Sequence, residues 1–395
     1  MDKPTQLLGA LLLAGASLTT NAANWTEIEQ QAKGQTLYFN AWGGSERIND
    51  YIQWAAAEVK ARYDIQLEHV KISDAAEVVS RILAEKTAGR EQQGSVDLLW
   101  VNGENFKALK EQGLLFGPFA EGLPNYRYVN PATTAYDFAI PVEGMEAAWG
   151  MAQLVFIADS AKVSDFPRSM PALLDFAQQH PGRVSYPQPP SFHGSTFLKQ
   201  ALTELTPDPS VLLQPVEQSD FARVTAPLWQ YLDQLHPVLW REGKSFPASA
   251  EAMRQLLDDG ELLISLSFNP NEASAAIIAG QLAPTVKTYI HQGGTIGNTH
   301  YLAIPFNSSH KAAAQVLVNF LQSPEAQARK ADPAVWGDPS VLALERLSAE
   351  DQARWQAIDL GPAALAAADL GRTLPEPHAS WMPALEQAWQ ERYGR

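Results

Sequence analysis

Ser191, His193 and Ser195 stand together with Phe192 and Gly194, and a histidine two residues from a serine invites a hydrolase reading. A serine nucleophile needs an elbow such as Gly-x-Ser-x-Gly, or another base held against it. No such elbow is present here. Read as lining, the same residues supply hydroxyls, an imidazole and a ring at the start of a helix, which suits one wall of a ligand cleft. Gly43, Gly44 and Ser45 offer bare backbone N–H groups at another helix start, able to hold an anion or polar ligand atoms; a plain glycine turn is the alternative. Trp42, Trp149 and Phe192 can stack on a ring or cage an organic cation, or simply fill a core. Asn102, followed by Gly103 and Glu104, can bond a ligand or cap a helix. Glu143 and Glu146 flank Gly144, where a carboxylate can pair with a cationic ligand or merely face solvent. Asn269, Asn271 and Glu272 are a second choice for the wall opposite the glycine loop. Thr295, Gly297 and Asn298 serve a hinge or a ligand. Trp336 and Asp338 reach a cleft rim or pack a helix.

Other chemistries lack their residues. The eight histidines are scattered, with no His-Glu-x-x-His pair, and neither a Gly-x-x-x-x-Gly-Lys-Ser/Thr loop nor a Gly-x-Gly-x-x-Gly fingerprint occurs. No catalytic residue, metal ligand or cofactor site is therefore expected.

The elements that must position these residues alternate strand and helix. Thr36–Trp42 reads as a buried strand, and the apolar spacing from Ile48 to Val59 as a helix. Ile65–Ile72 and Val96–Val101 are further strands, each followed by helical spacing. Repeated strand, short loop and helix imply a parallel sheet with right-handed crossovers. Ala139–Val142 and Trp149–Ala158 also read as strands. Arg183–Tyr186 opens a second region, in which Phe221–Leu235 and Ala248–Leu257 have helical spacing and Glu261–Phe268 is a strong buried strand. Val286–Ile290 and Tyr301–Ile304 are strands, and Ala312 to Leu321 marks a long helix. No internal repeat is present.

Length and composition set the class. At 395 residues the chain exceeds one ordinary core, so two lobes are expected. Lys3, an apolar run from Leu7 to Leu18 and small residues up to Ala23 have the layout of a signal peptide, cleaved near residue 22. That run of about 12 residues is short against the roughly 20 of a membrane span, so stable membrane insertion is not expected. Cysteine is absent, which removes disulfides, thiol chemistry and a lipid-bearing cysteine. The net charge of −15 argues against nucleic acid, whose phosphates need Lys and Arg.

The order of elements resembles the extracytoplasmic solute-binding proteins of ABC transporters. The resemblance rests on FNAWGGSERINDYI (39–52), VDLLWVNGENFKALKEQGLL (96–115), AAWGMAQLVFIADS (147–160) and GGTIGNTHYLAIPFNSSHKAAAQVLVNFLQSPEAQ (293–327). It points to the branch with polyamine, iron and thiamine binders, and within it to YnjB-like proteins. It implies an α/β periplasmic binding protein type II fold of two Rossmann-like lobes: 1–22 signal peptide, 24–158 and 300–395 lobe 1, 159–299 lobe 2. It further implies a periplasmic monomer that captures a small polar or cationic organic solute and hands it to a permease. Iron binders of this branch use adjacent tyrosines; Tyr126 and Tyr128 are separated here, which disfavours ferric iron. A secreted hydrolase and a periplasmic sensor or adaptor stay open as alternatives.

Overall fold

A computed structural model describes residues 25–365 and 371–394; the expected signal peptide lies outside the described residues. A helical stretch α1 (25–32) leads into β1 (Thr36–Trp42), α2 (Glu46–Tyr63), β2 (Gln66–Ile72), α3 (Ala75–Thr87), β3 (Leu98–Val101) and α4 (Gly103–Glu111). β1 pairs in parallel with both β2 and β3. The reason is local: Leu37, Phe39 and Ala41 of β1 are buried, and α2 turns Ile48, Tyr51, Ile52, Ala55 and Val59 onto the sheet. That spacing forms one apolar stripe on a 3.6-residue helix.

Short α5 (Pro131–Thr134) and the hairpin β4 (Tyr136–Asp137) and β5 (Ile140–Pro141) follow, then β6 (Glu146–Gln153). The hairpin turns on Phe138 and Ala139, both at positive φ, 44° and 63°. Two-residue turns with that backbone ordinarily carry Asn-Gly.

The strand expected over 149–158 is in fact two. After Leu154 the chain leaves the first sheet, and β7 (Val155–Asp159) becomes the middle of a second. Around it come α6 (Met170–Gln179), α7 (Phe192–Leu205), α8 (Phe221–Leu235), α9 (Ala250–Asp258), β8 (Ile264–Ser267), α10 (Glu272–Ile278) and β9 (Val286–Tyr289). β7 runs antiparallel to both β8 and β9. Arg183–Tyr186, expected to open the second region, joins no ladder. Pro187, Pro189 and Pro190 directly follow it, and proline cannot donate to one. Its carbonyls instead accept from Leu263 and Trp240.

β10 (Thr295–Ala303) returns to the first sheet, antiparallel to β3 and β6, followed by α11 (Lys311–Leu321), α12 (Pro324–Ala331) and α13 (Ala349–Gln356). β11 (Thr373–Leu374) lies beside the start of β10, and α14 (Trp381–Tyr393) ends the described chain.

α14 departs from the expected division, which gave 300–395 to lobe 1. Trp381, Leu385 and Trp389 are buried in the same core as Phe156, Leu228 and Phe197 of lobe 2. Its indoles explain the placement, since a buried Trp N–H needs an acceptor. Trp389 Nε1 donates to Tyr186 Oη at 2.9 Å, and Trp381 Nε1 to the Gln214 carbonyl at 2.9 Å. A Trp389→Ala variant should lose about 3–5 kcal/mol, the usual range for emptying a buried tryptophan site, read as a lower urea midpoint. An unchanged midpoint would put α14 outside the lobe 2 core.

Candidate functional site

In an open parallel sheet, ligands sit beyond the carboxyl ends of the strands. Here the loops after β1, β2 and β3 meet the second lobe. Arg47, in the first turn of α2, donates to the carbonyls of Pro333 at 2.7 Å and Ala275 in α10 at 2.8 Å. Asn271 Nδ2 of lobe 2 donates to the Gly337 carbonyl at 2.7 Å, and Asn269 Nδ2 to the Trp336 carbonyl at 3.4 Å. At the other end of the seam the Ala379 N–H donates to the Phe138 carbonyl at 3.0 Å. These bonds join the two lobes.

Several expected site residues serve other ends. Trp149 is fully buried and Trp336 nearly so. They pack on each other at 5.3 Å and around Trp100 at 4.8 and 5.8 Å, so both belong to the lobe 1 core rather than to a stacking wall. Of Trp336, only the carbonyl meets lobe 2. Trp42 folds back over its own glycine turn: a Cβ on Gly44 would lie 2.4 Å from the Trp42 ring. Gly43 hydrogen-bonds through its N–H to Ile72. Glu143 faces solvent and pairs with Lys110 at 2.8 Å, away from the lobe seam. Thr295 is buried and accepts from Gln153 Nε2 at 3.1 Å, which is a hinge position.

Other predicted residues stand at helix starts. Ser45 and Asn102 begin α2 and α4, and neither side chain makes a capping bond. Ser191 caps α7, accepting from the Gly194 N–H at 3.2 Å. Gly194 is required for contact, since a Cβ there would lie 2.2 Å from the Pro187 carbonyl oxygen. His193 is partly exposed, and desolvation holds its imidazole below the usual range despite Glu251. Ser195 Oγ donates to Glu386 Oε1 at 2.5 Å. The proton of Ser195 thus points at a carboxylate of α14, and the His193–Ser195 unit a hydrolase would need is not assembled.

Asn298 leads to the centre of the site. Its Nδ2 donates to Glu376 Oε1 at 2.9 Å, while Lys199 Nζ donates to Glu376 Oε2 at 2.7 Å. Lys199 and Glu376 are both almost wholly buried. The ammonium lies 4.4 Å from the Phe138 ring centroid and 5.7 Å from that of Phe192. Lys199 also acts electrostatically on Glu104, Asp137 and Glu386, so carboxyl groups of α4, β4 and α14 share the field of its ammonium. Asp137 Oδ2 accepts from the Gly103 N–H at 2.6 Å, while its Oδ1 has no partner. Burial drives Asp137 well above the ordinary carboxyl range, against the pull of that N–H. Burial likewise raises Glu386 and pushes Glu104 up to about 7.

Glu104, Phe192 and Asn298 were legible as candidates; Lys199, Glu376, Asp137, Phe138, Glu386 and Arg47 were not. Glu376 lies far along the chain from both Lys199 and Asn298, in a stretch with no motif. One signal was available. Lys199 sits between Leu198 and the pair Ala201, Leu202 on the buried side of α7, and a lysine there needs a partner.

Residues 54–357 match the family model described as bacterial extracellular solute-binding protein. The chain belongs to that family. It is 51% identical over 389 residues to Protein YnjB of Escherichia coli K12, covering 98% of each chain. Among solved structures, the putative spermidine/putrescine ABC transporter of Listeria monocytogenes aligns with TM-score 0.64 at 15% identity. That match covers 91% of this chain and 98% of the other. The periplasmic binding protein AfuA of Actinobacillus pleuropneumoniae, solved with fructose-6-phosphate, aligns with TM-score 0.63 at 15% identity. It covers 91% of this chain and 99% of the other. These likenesses establish the type II periplasmic binding protein fold, and in this solute-binding protein the lobe seam is where that fold would hold a ligand. A groove of about 930 Å³ lies between Arg329 of α12, Arg354 of α13 and Ile278 of α10, with Trp54 of α2 at its wall. Among the described residues no three His, Cys, Asp or Glu groups gather as a metal site, and no helix is long and apolar enough to cross a membrane.

Glu104 sets a pH dependence. Its carboxyl in the folded chain titrates near 7 against an ordinary 4.5, so the folded state holds the extra proton between those values. Stability from this group is therefore present below the ordinary value and is lost as pH rises through 7. Glu104→Gln should raise Tm at pH 8 and leave it unchanged at pH 4. An equal gain at both would show that burial is not acting on the charge.

Proposed function

We propose that this solute-binding protein is the capture component of an ABC importer and that its solute is a small organic cation held between the lobes. One observation carries the choice of charge: carboxyls outnumber ammonium groups around Lys199 in a partly desolvated space walled by two phenyl rings. Aromatic faces and carboxylates attract cations and repel phosphates and carboxylates. The fold itself is neutral on this point. The two neighbours above bear, by their titles, a polyamine assignment and a bound sugar phosphate at nearly the same TM-score.

The chain works in the periplasm, released when its amino-terminal segment is cut, and needs no cofactor. An open form exposes the loops after β1 to β3. A solute touching both Glu104 of lobe 1 and the α7 wall of lobe 2 favours closure, because only the closed form offers both contacts. The closed surface then docks as a monomer on a permease, and transport energy comes from an ATPase elsewhere. Hydrolysis has weaker support, since Ser195 is bound to Glu386 rather than to an imidazole.

Thermal shift of the mature chain against a panel of small amines, quaternary ammonium compounds, sugar phosphates and dicarboxylates tests the proposal. Organic cations should raise Tm; stabilisation by the anions alone would sink it. Bound cation favours ionised Glu104, so binding releases a proton. Affinity should then fall below pH 7, by at most about tenfold per pH unit for each linked proton. A pH-independent affinity between 5 and 8 would remove Glu104 from the site.

A further inference from the structure

The pairing of Lys199 is unusual for a structural ion pair. Its ammonium has three donors but, among the described residues, one hydrogen-bond acceptor, Glu376 Oε2. Beside that acceptor stand the rings of Phe138 and Phe192. Carboxylate on one side and aromatic faces on the others is the arrangement by which proteins hold alkylammonium ligands from outside.

The parts come from separate bodies. Lys199 and Phe192 belong to α7 of lobe 2, Glu376 to the tail before α14, and Phe138 to the lobe 1 hairpin. Phe138 and Ala139 are both held at positive φ without being glycine, a strained backbone that tends to mark functional positions. Tertiary contacts maintain it. The Phe138 carbonyl takes the Ala379 N–H, and its ring presses on Gly103, where a Cβ would lie 3.0 Å away. The hairpin thus brings an aromatic lid across the lobe boundary onto an ammonium, and a lysine supplies that ammonium.

We propose that Lys199 is a built-in stand-in for the solute: its ammonium fills the alkylammonium subsite of Phe138, Phe192 and Glu376 in the closed empty chain, and an incoming organic cation displaces it. This rests on the cationic reading above and adds how the empty site is kept closed and selective. An unfilled subsite would leave Glu376 buried with Asn298 alone and no countercharge, a large penalty. Self-occupancy removes that penalty, so the empty chain can close. Four rotatable carbons let the lysine withdraw. A neutral or anionic solute cannot replace it, because Glu376 would then lose its countercharge.

Two measurements test this. In Lys199→Ala, the atoms removed beyond Cβ amount to n-propylammonium. Adding n-propylammonium chloride should raise Tm saturably in that variant, while n-propanol should not, and neither should act on Lys199→Ala/Glu376→Gln. No propylammonium effect in a folded Lys199→Ala chain would overturn the subsite. In the wild-type chain, which requires no variant to fold, the Lys199 side-chain ammonium is followed by NMR during titration with choline and with n-propylammonium. On saturation its signal should move to the fast-exchanging, solvent-exposed position. A signal unmoved while the cation binds would overturn displacement yet leave the cationic reading standing. A wild-type chain indifferent to every organic cation, with Lys199→Ala still taking propylammonium, would overturn both displacement and that broader reading.

Discussion

The chain leaves lobe 1 after Leu154 and returns at Ile296 through two adjacent crossovers, and the polar backbone of that strip must be satisfied inside the protein. Gln200, fully buried on α7, does much of this. Its Oε1 accepts the Ile296 N–H at 2.7 Å and its Nε2 donates to the Gly294 carbonyl at 3.2 Å. The Leu154 N–H reaches the Ile296 carbonyl at 2.8 Å, so the outgoing and returning crossovers are bonded to each other. Unpaired backbone groups at such depth would be costly, which makes this clamp the fixed point about which the lobes can move. Everything in the seam, from Arg47 at one end to Phe138 at the other, is placed relative to it.

Charge organises the seam that the hinge permits. Water leaves when the lobes meet, and the carboxyls of Glu104, Asp137 and Glu386 respond by holding their protons more tightly. Lys199 offsets part of that burden in the closed chain. Burial and the charge of Lys199 thus act together on the protonation of these carboxyls. The C-terminal segment is integral to this, because Glu376 and Glu386 both come from it and α14 is anchored in lobe 2 by its indoles.

The strands and helices of lobe 1 were legible because each carries its own period: β1 is observed over the expected Thr36–Trp42, and α2 buries the expected stripe. The break at Leu154 was not, since one apolar run can serve two sheets and periodicity does not say where the chain leaves one for the other. β8 is shorter than the expected Glu261–Phe268 for a related reason, the Leu263 N–H and the Phe268 carbonyl being used outside the ladder. Candidate site residues were chosen by their position after a strand end. Trp149 and Trp336 were misplaced because an indole fills a core as readily as it walls a cleft.

By itself the sequence determined the alternation of elements, the two-lobe class and the positions of loops at the carboxyl ends of strands, because these follow from local spacing and turn chemistry. It also determined the acidic character of the whole chain. Which carboxylate meets which ammonium was decided only by tertiary structure. Lys199, Glu376 and Asn298 are distant in sequence, and an ion pair depends on distance in space and on the water excluded there. The path of α14 back onto lobe 2, and the lid made by Phe138, were settled by the same long-range packing.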